Sequence, residues 1–218
     1  MILRLPKKRR KPSLQNLFLN RFIEVNMRIG LFFGSFNPIH VGHLIIANHM
    51  VEYSDLDEVW LVVTPHNPFK IKKTLLEDHH RYQLVMQATE DYPKIKPSNI
   101  EFGLPQPSYT INTLIHLYEK YPQHQFNLIM GLDNLYSFGK WKNAENILDD
   151  HELYVYPRVS NENDKPELLT HPKVHFVDAP IIEISSTYIR NAVKENRNIR
   201  PLMPYKAWKY LDEMNFYK

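Results

Sequence analysis

Apolar runs of strand length alternate with segments of helical period through most of this chain, and that alternation leaves few architectures open. Arg28–Gly34 is a short apolar run ending in glycine, and in 42–53 the residues Leu44, Ala47 and Val51 recur at helical spacing. The run 58–64 is rich in β-branched and aromatic residues, and 78–90 sets Tyr82, Val85, Met86 and Thr89 on one helical face. A strand is predicted at 100–102, ahead of a helix over Thr110–Lys120 whose Ile111, Leu114, Ile115 and Tyr118 share a stripe, with Pro122 just past its end. Gln125–Gly131, Leu153–Tyr156 and 174–177 read as further strands; 143–148, 186–195 and 204–214 read as helices, and 160–173 as a polar surface loop. Helices between successive strands are the crossovers that parallel strands require. The predicted fold is therefore α/β, a doubly wound, mostly parallel sheet covered on both faces. Such sheets bind ligands beyond the carboxyl ends of their strands, where the strand order reverses.

At 218 residues the chain can bury one sizeable core, and two full domains would be a tight fit. The absence of cysteine from the sequence removes disulfides, thiolate zinc sites and cysteine nucleophiles, and makes a reducing cytoplasm the expected compartment. No stretch of the sequence approaches the ~18 apolar residues of a membrane-spanning helix, so no membrane partner is expected. The formal net charge of +3 hides an asymmetry: residues 1–28 carry +7, whereas 29–218 hold 19 basic against 23 acidic residues. The remainder is mildly acidic, which argues against a specific nucleic-acid face. The basic block at 6–12 could be a localisation-like cluster, a transit segment or an anion-binding arm. It lacks the continuous apolar stretch of a signal peptide, and a plain extension ahead of Met27 is the favoured reading. The expected organisation is an extension over 1–26 and a domain over 27–218.

Two segments carry most of the chemistry. After the first strand comes Gly34-Ser35-Phe36-Asn37-Pro38-Ile39-His40-Val41-Gly42-His43. Glycine at a strand end admits close approach to the backbone, and the helix start that follows offers N–H groups to an anion. His40 and His43 are spaced so that both imidazoles can address one polyphosphate. An isolated pair of this spacing would more often be surface or metal-binding, but the further ligands that zinc needs are missing from the pattern, and no metal site is expected. Neither a Walker A lysine nor a dinucleotide glycine fingerprint is present in the sequence. Late in the chain, Ile184-Ser185-Ser186-Thr187-Tyr188-Ile189-Arg190 places hydroxyls at a helix start, with Arg190 one turn on. Alone it would be an ordinary helix cap with a solvated arginine.

The first segment closely resembles the (T/S)-F-x-P-x-H-x-G-H signature of the adenylyltransferase and cytidylyltransferase superfamily, and the second resembles the I-S-S-T-x-I-R segment of nicotinate-nucleotide adenylyltransferases. Pro107-Ser108-Tyr109-Thr110, Gly131-Leu132-Asp133-Asn134 and Phe138-Gly139-Lys140-Trp141 are similar to three further segments of that family. The resemblance spans Met27 onward. It implies a Rossmann-like nucleotidylyltransferase fold and adenylyl transfer from ATP to nicotinate mononucleotide, giving deamido-NAD and pyrophosphate. It further implies catalytic roles for His40, His43 and Arg190, and ATP contacts from Gly34, Ser35, Phe36, Gly131, Asp133, Ser185, Ser186 and Thr187. Lys70, Tyr109, Thr110 and Trp141 would hold the mononucleotide, Trp141 by stacking on its ring. Asp133 would hold the adenosine ribose, a role compatible with capping a helix. At 64–70 the sequence departs from the family's commoner P-P-H-K form, so His66 and Lys70 match it only loosely.

The implied nucleophile, a phosphate monoester, is already ionised near neutrality because its second pKa is about 6. Positioning and charge neutralisation are then what the protein must supply, with Mg²⁺ arriving on the ATP phosphates. Transfer to nicotinamide mononucleotide or phosphopantetheine, a cytidylyl product, or non-enzymatic nucleotide or RNA binding through the basic leader are the competing readings.

Overall fold

A computed structural model describes residues 26–65, 75–159 and 166–218. The basic block and the segment holding His66 and Lys70 lie outside the described residues. Six strands pair in the order β3-β2-β1-β4-β5-β6, every pair parallel. They are β1 (Arg28–Gly34), β2 (Glu58–Val63), β3 (Ile95–Ser98), β4 (Gln125–Gly131), β5 (Leu153–Tyr156) and β6 (Val174–Phe176). The order reverses between β1 and β4, so the switch point lies over Gly34 and Gly131.

Burial follows the strand period of two. Ile29 and Leu31 of β1 join Phe126, Leu128 and Met130 of β4 in the core on one face, while Phe32 and Ile129 point into the core on the other. The second face is covered by α1 (Val41–Tyr53), α2 (Asp78–Thr89), α6 (Ser186–Lys194) and α7 (Tyr205–Glu213). The first is covered by α3 (Thr110–Lys120) and α5 (Ala144–Asp150). Leu44, Ala47 and Val51 of α1 are buried as their spacing predicts.

Several elements differ from expectation. The third strand is Ile95–Ser98, and Ile100–Gly103 is a 3-10 turn. Pro97 hides this strand from pattern reading, but β3 pairs only with β2 at the sheet edge, where a missing N–H is tolerated. The stripe of α3 is rotated: Thr113, Leu114 and Leu117 are buried, whereas Ile115 and Tyr118 are exposed. Met86 of α2 is exposed as well, whereas Val85 and Thr89 are buried together with Leu84, Ala88 and, unexpectedly, Arg81 at 0% exposure. Gly131-Leu132-Asp133-Asn134 follows β4 and opens a short helix, α4 (Leu132–Ser137), with Gly131 as its N-cap and Asp133 inside the first turn. The 160–173 loop contains a 3-10 turn at Glu167–Thr170.

Candidate active site

A cavity of ≈ 950 Å³ opens at the switch point, and both sequence segments line it. Its size falls within the range of small-molecule sites, toward the upper end. The two segments are joined directly: Arg190 Nη1 donates to the Asn37 carbonyl at 2.7 Å, and Ser186 Oγ donates to the Pro38 carbonyl at 2.8 Å. Their contact is close enough to require Gly42, since a Cβ there would sit 2.7 Å from Ile182 Cγ2. Gly34 is also needed by the fold itself, because a Cβ there would strike the Phe36 ring at 2.8 Å. Phe36 itself adopts a left-handed φ of 43°, a costly backbone for a bulky residue. Its buried ring, edge-on to Phe32 and His43, holds the loop in that state.

His40 caps α1 and is only 5% exposed. Its ring stacks on that of His43 with centroids 3.7 Å apart, and its backbone N–H donates to His43 Nδ1 at 3.2 Å. Since His43 Nδ1 accepts, the proton of a neutral His43 sits on Nε2, which makes that nitrogen a donor. Burial lowers the pKa of His40 to about 4, with Arg158 adding to the effect. His40 is therefore a neutral imidazole near pH 7, and its buried Nδ1 has no hydrogen-bond partner among the described residues. Protonating both stacked rings would set like charges in contact.

Ser185 is spent as the N-cap of α6, its Oγ accepting the Tyr188 N–H at 3.1 Å. Arg190 Nη2 donates to Thr187 Oγ1 at 3.1 Å, so the guanidinium is held at two points. Gly34, Ser35, Phe36, Gly131, Asp133, Ser185, Ser186 and Thr187 all line the same cavity. Asp133 Oδ1 lies 3.8 Å from Arg158 Nε.

At the other end, Tyr109 is the N-cap of α3, its side chain making no cap bond, and Thr110 is the first residue of the helix. Trp141 is half-buried and packs on Phe138 at 5.3 Å, and Lys142 Nζ lies 4.7 Å from the Tyr109 ring centre. Glu101 lines this wall at 1% exposure. Its Oε1 accepts from Thr113 Oγ1 at 2.7 Å, and burial pushes its carboxyl up against the pull of the Thr113, Thr64 and Ser108 hydroxyls.

Sequence reasoning missed Arg158, Glu101 and Arg81. Arg158 follows β5 by two residues and was within reach of the strand-end rule. Glu101 lay in what was read as a strand. Arg81 binds the carbonyls of Ser35, Thr64, Pro65 and Leu76 and the carboxylate of Asp78, which no local pattern reports.

A parallel sheet with a cavity at its switch point, lined by imidazole and guanidinium, defines a nucleotide-handling class. A cytidylyltransferase-like family model matches residues 31–192. A protein of Flavobacterium johnsoniae named as a probable nicotinate-nucleotide adenylyltransferase is 65% identical over 88% of this chain and 100% of its own length. One of Christiangramia forsetii with the same name is 63% identical over 89% of this chain and all of its own. In fold, the chain resembles Plasmodium falciparum nicotinic acid mononucleotide adenylyltransferase complexed with NaAD, with a TM-score of 0.74 over 88% of this chain and 98% of that one at 20% identity. The chain belongs to the cytidylyltransferase-like family and, within it, to the nicotinate-nucleotide adenylyltransferases.

Proposed function

We propose that the cavity binds ATP and nicotinate mononucleotide together and transfers the adenylyl group, and that the residues joined across β1 and α6 hold the triphosphate. The observation that carries this reading is the pair of bonds from Arg190 and Ser186 to the Asn37 and Pro38 carbonyls. A 5′-phosphate oxygen of the mononucleotide attacks the α-phosphorus of ATP, a P–O bond forms, the bond to the bridging oxygen breaks, and pyrophosphate leaves with that electron pair. No general base is needed, since the attacking phosphate is ionised. The protein's task is to align two anions and to place donors where charge grows on the leaving group. Arg190 and Arg158 supply positive charge, His43 a ring N–H, and His40 a neutral imidazole.

The acceptor end suits an anionic ring substituent. Thr110, the first residue of α3, lines the cavity, and a helix N-terminus favours a carboxylate over a neutral amide. Trp141 offers an aromatic face to the pyridine ring. Mg²⁺ fits as part of the substrate, carried on the phosphates and neutralising their charge. The cavity's own carboxyls among the described residues are Asp133, set beside Arg158, and the buried Glu101, so the donor set suits phosphate oxygens rather than a resident cation. Among the described residues no helix is long and apolar enough to cross a membrane; we place the reaction in the cytoplasm, which a cysteine-free sequence suits.

The test is pyrophosphate release from MgATP with nicotinate or nicotinamide mononucleotide as acceptor. Turnover preferring the acid is expected, and it should persist in a variant lacking residues 1–26. A folded protein that turns over neither acceptor would retire the proposal.

A further inference from the structure

Tyr217 lies 180 residues from Asn37 in sequence, yet its hydroxyl donates to Asn37 Oδ1 at 2.6 Å. Asn37 is 3% exposed, and both its oxygens are in use. Oδ1 also accepts the Leu76 N–H at 3.1 Å, while the main-chain carbonyl takes Arg190 Nη1 at 2.7 Å. The segment that delivers the phenol is itself strained. Asn215, at φ 54°, closes α7 in the left-handed form common at helix ends, with the Phe216 N–H bonded to the Leu211 carbonyl at 3.1 Å, whereas Tyr217, at φ 66°, holds a left-handed backbone that a bulky residue keeps only when neighbouring packing enforces it. Phe216 provides that packing, buried edge-on to Tyr210 and beside His80.

We propose that Tyr217 is a positioning residue for adenylyl transfer: by fixing Asn37 it fixes the carbonyl that orients the Arg190 guanidinium at the phosphate end of the cavity. This rests on the reading of that end as the ATP site. The guanidinium is planar, so anchoring Nη1 on Asn37 and Nη2 on Thr187 sets the plane in which its remaining N–H groups point. A cation aligned before the ligand arrives loses less freedom on binding than one that must be ordered. Burial raises the Tyr217 pKa despite the nearby Arg190 and Arg81, so the phenol remains a donor throughout the physiological range.

Tyr217→Phe keeps the ring and removes one hydrogen bond, so kcat/KM for ATP should fall about 3- to 10-fold. KM for nicotinate mononucleotide should not change, and Tm should move by no more than about 3 °C. In an Arg190→Lys background the same substitution should have no further effect on ATP, because the guanidinium it positions is gone. Unchanged ATP kinetics, a rise in KM for nicotinate mononucleotide as large as any change seen with ATP, or full additivity with Arg190→Lys would overturn the proposal. Calorimetric binding of α,β-methylene-ATP separates this inference from the function on which it rests. If the wild type transfers nothing to nicotinate mononucleotide, the function fails. Weaker analogue binding by Tyr217→Phe that disappears in the Arg190→Lys background would still support the positioning role, and unchanged binding would end it.

Discussion

The two ends of the cavity, one proposed above for the triphosphate and the other for the acceptor, are built on different principles. The phosphate end is braced across the chain: the loop after β1 is bonded to α6 through Pro38 and Asn37, to Tyr217, and to α2 through Arg81. The acceptor end is assembled from side chains on short turns, with Tyr109, Thr110 and Trp141 all half-exposed and Trp141 following a 3-10 turn at Phe138–Lys140. A triphosphate demands fixed donors, because charge develops there during the reaction; a flat ring demands only a surface and a place for its carboxylate. Disrupting the first end should therefore lower kcat, and disrupting the second should raise KM.

His43→Ala is the strongest test of that division. Losing one donor aimed at developing charge lowers kcat by about 10²- to 10³-fold in enzymes that rely on such groups. KM for either substrate should change little by comparison, and steady-state kinetics against each substrate would show it. A large rise in the mononucleotide KM with kcat preserved would move His43 out of the phosphate end.

Arg81→Met asks whether the bracing is a single unit. Arg81 is fully buried and ties the Ser35 carbonyl to those of Thr64, Pro65 and Leu76. Removing it strands buried acceptors, a loss of about 3–5 kcal/mol by analogy with broken buried pairs. For a domain of this size Tm should drop by roughly 6–20 °C. A fall under about 2 °C would mean the loop is held by other contacts.

The same contrast explains how much was legible in the sequence. The β1 loop and the α6 start are contiguous motifs whose residue types announce phosphate chemistry, and the structure joins them through Arg190 and Ser186. Strand–helix alternation likewise sufficed for the parallel sheet. What stayed hidden depends on distant pairings. Arg81 reads as a solvated helix residue until its four carbonyl partners are assembled, and Tyr217 has no local sign of its bond to Asn37. The 95–103 region was misread because Pro97 argued against a strand and Ile100–Phe102 imitated one, which concealed Glu101 in the acceptor wall. The alternative role weighed for Asp133, a helix cap, falls to Gly131, and Asp133 stands in the first turn beside Arg158, a neighbour that its local sequence does not report.

Trp141→Ala probes the looser end. Stacking of a base on an aromatic side chain contributes about 1–3 kcal/mol, so KM for nicotinate mononucleotide should rise roughly 5- to 100-fold. KM for ATP should stay within about 2-fold if the ends are energetically separate. Should both constants rise together, the two ends are coupled and the division drawn above is wrong.

The smallest expected effect concerns the protonation of His40. Its folded pKa of about 4 lies below the unfolded value of 6.5, burial being the larger cause and Arg158 the smaller. Between those values the unfolded chain binds a proton that the folded one refuses, so stability must fall as pH drops from 6.5 toward 4 and be flat, for this group, above 6.5. The full loss by pH 4 is about 1–3 kcal/mol. Urea melts at pH 7 and pH 5 should differ less in His40→Gln than in wild type, and NMR of the free protein should show no His40 titration above about pH 5. Bound triphosphate adds negative charge beside the ring and should lift that midpoint. A His40 that titrates near 6.5 in the free protein would mean the phosphate end is wet and mobile before ATP arrives, and its contrast with the acceptor end would disappear.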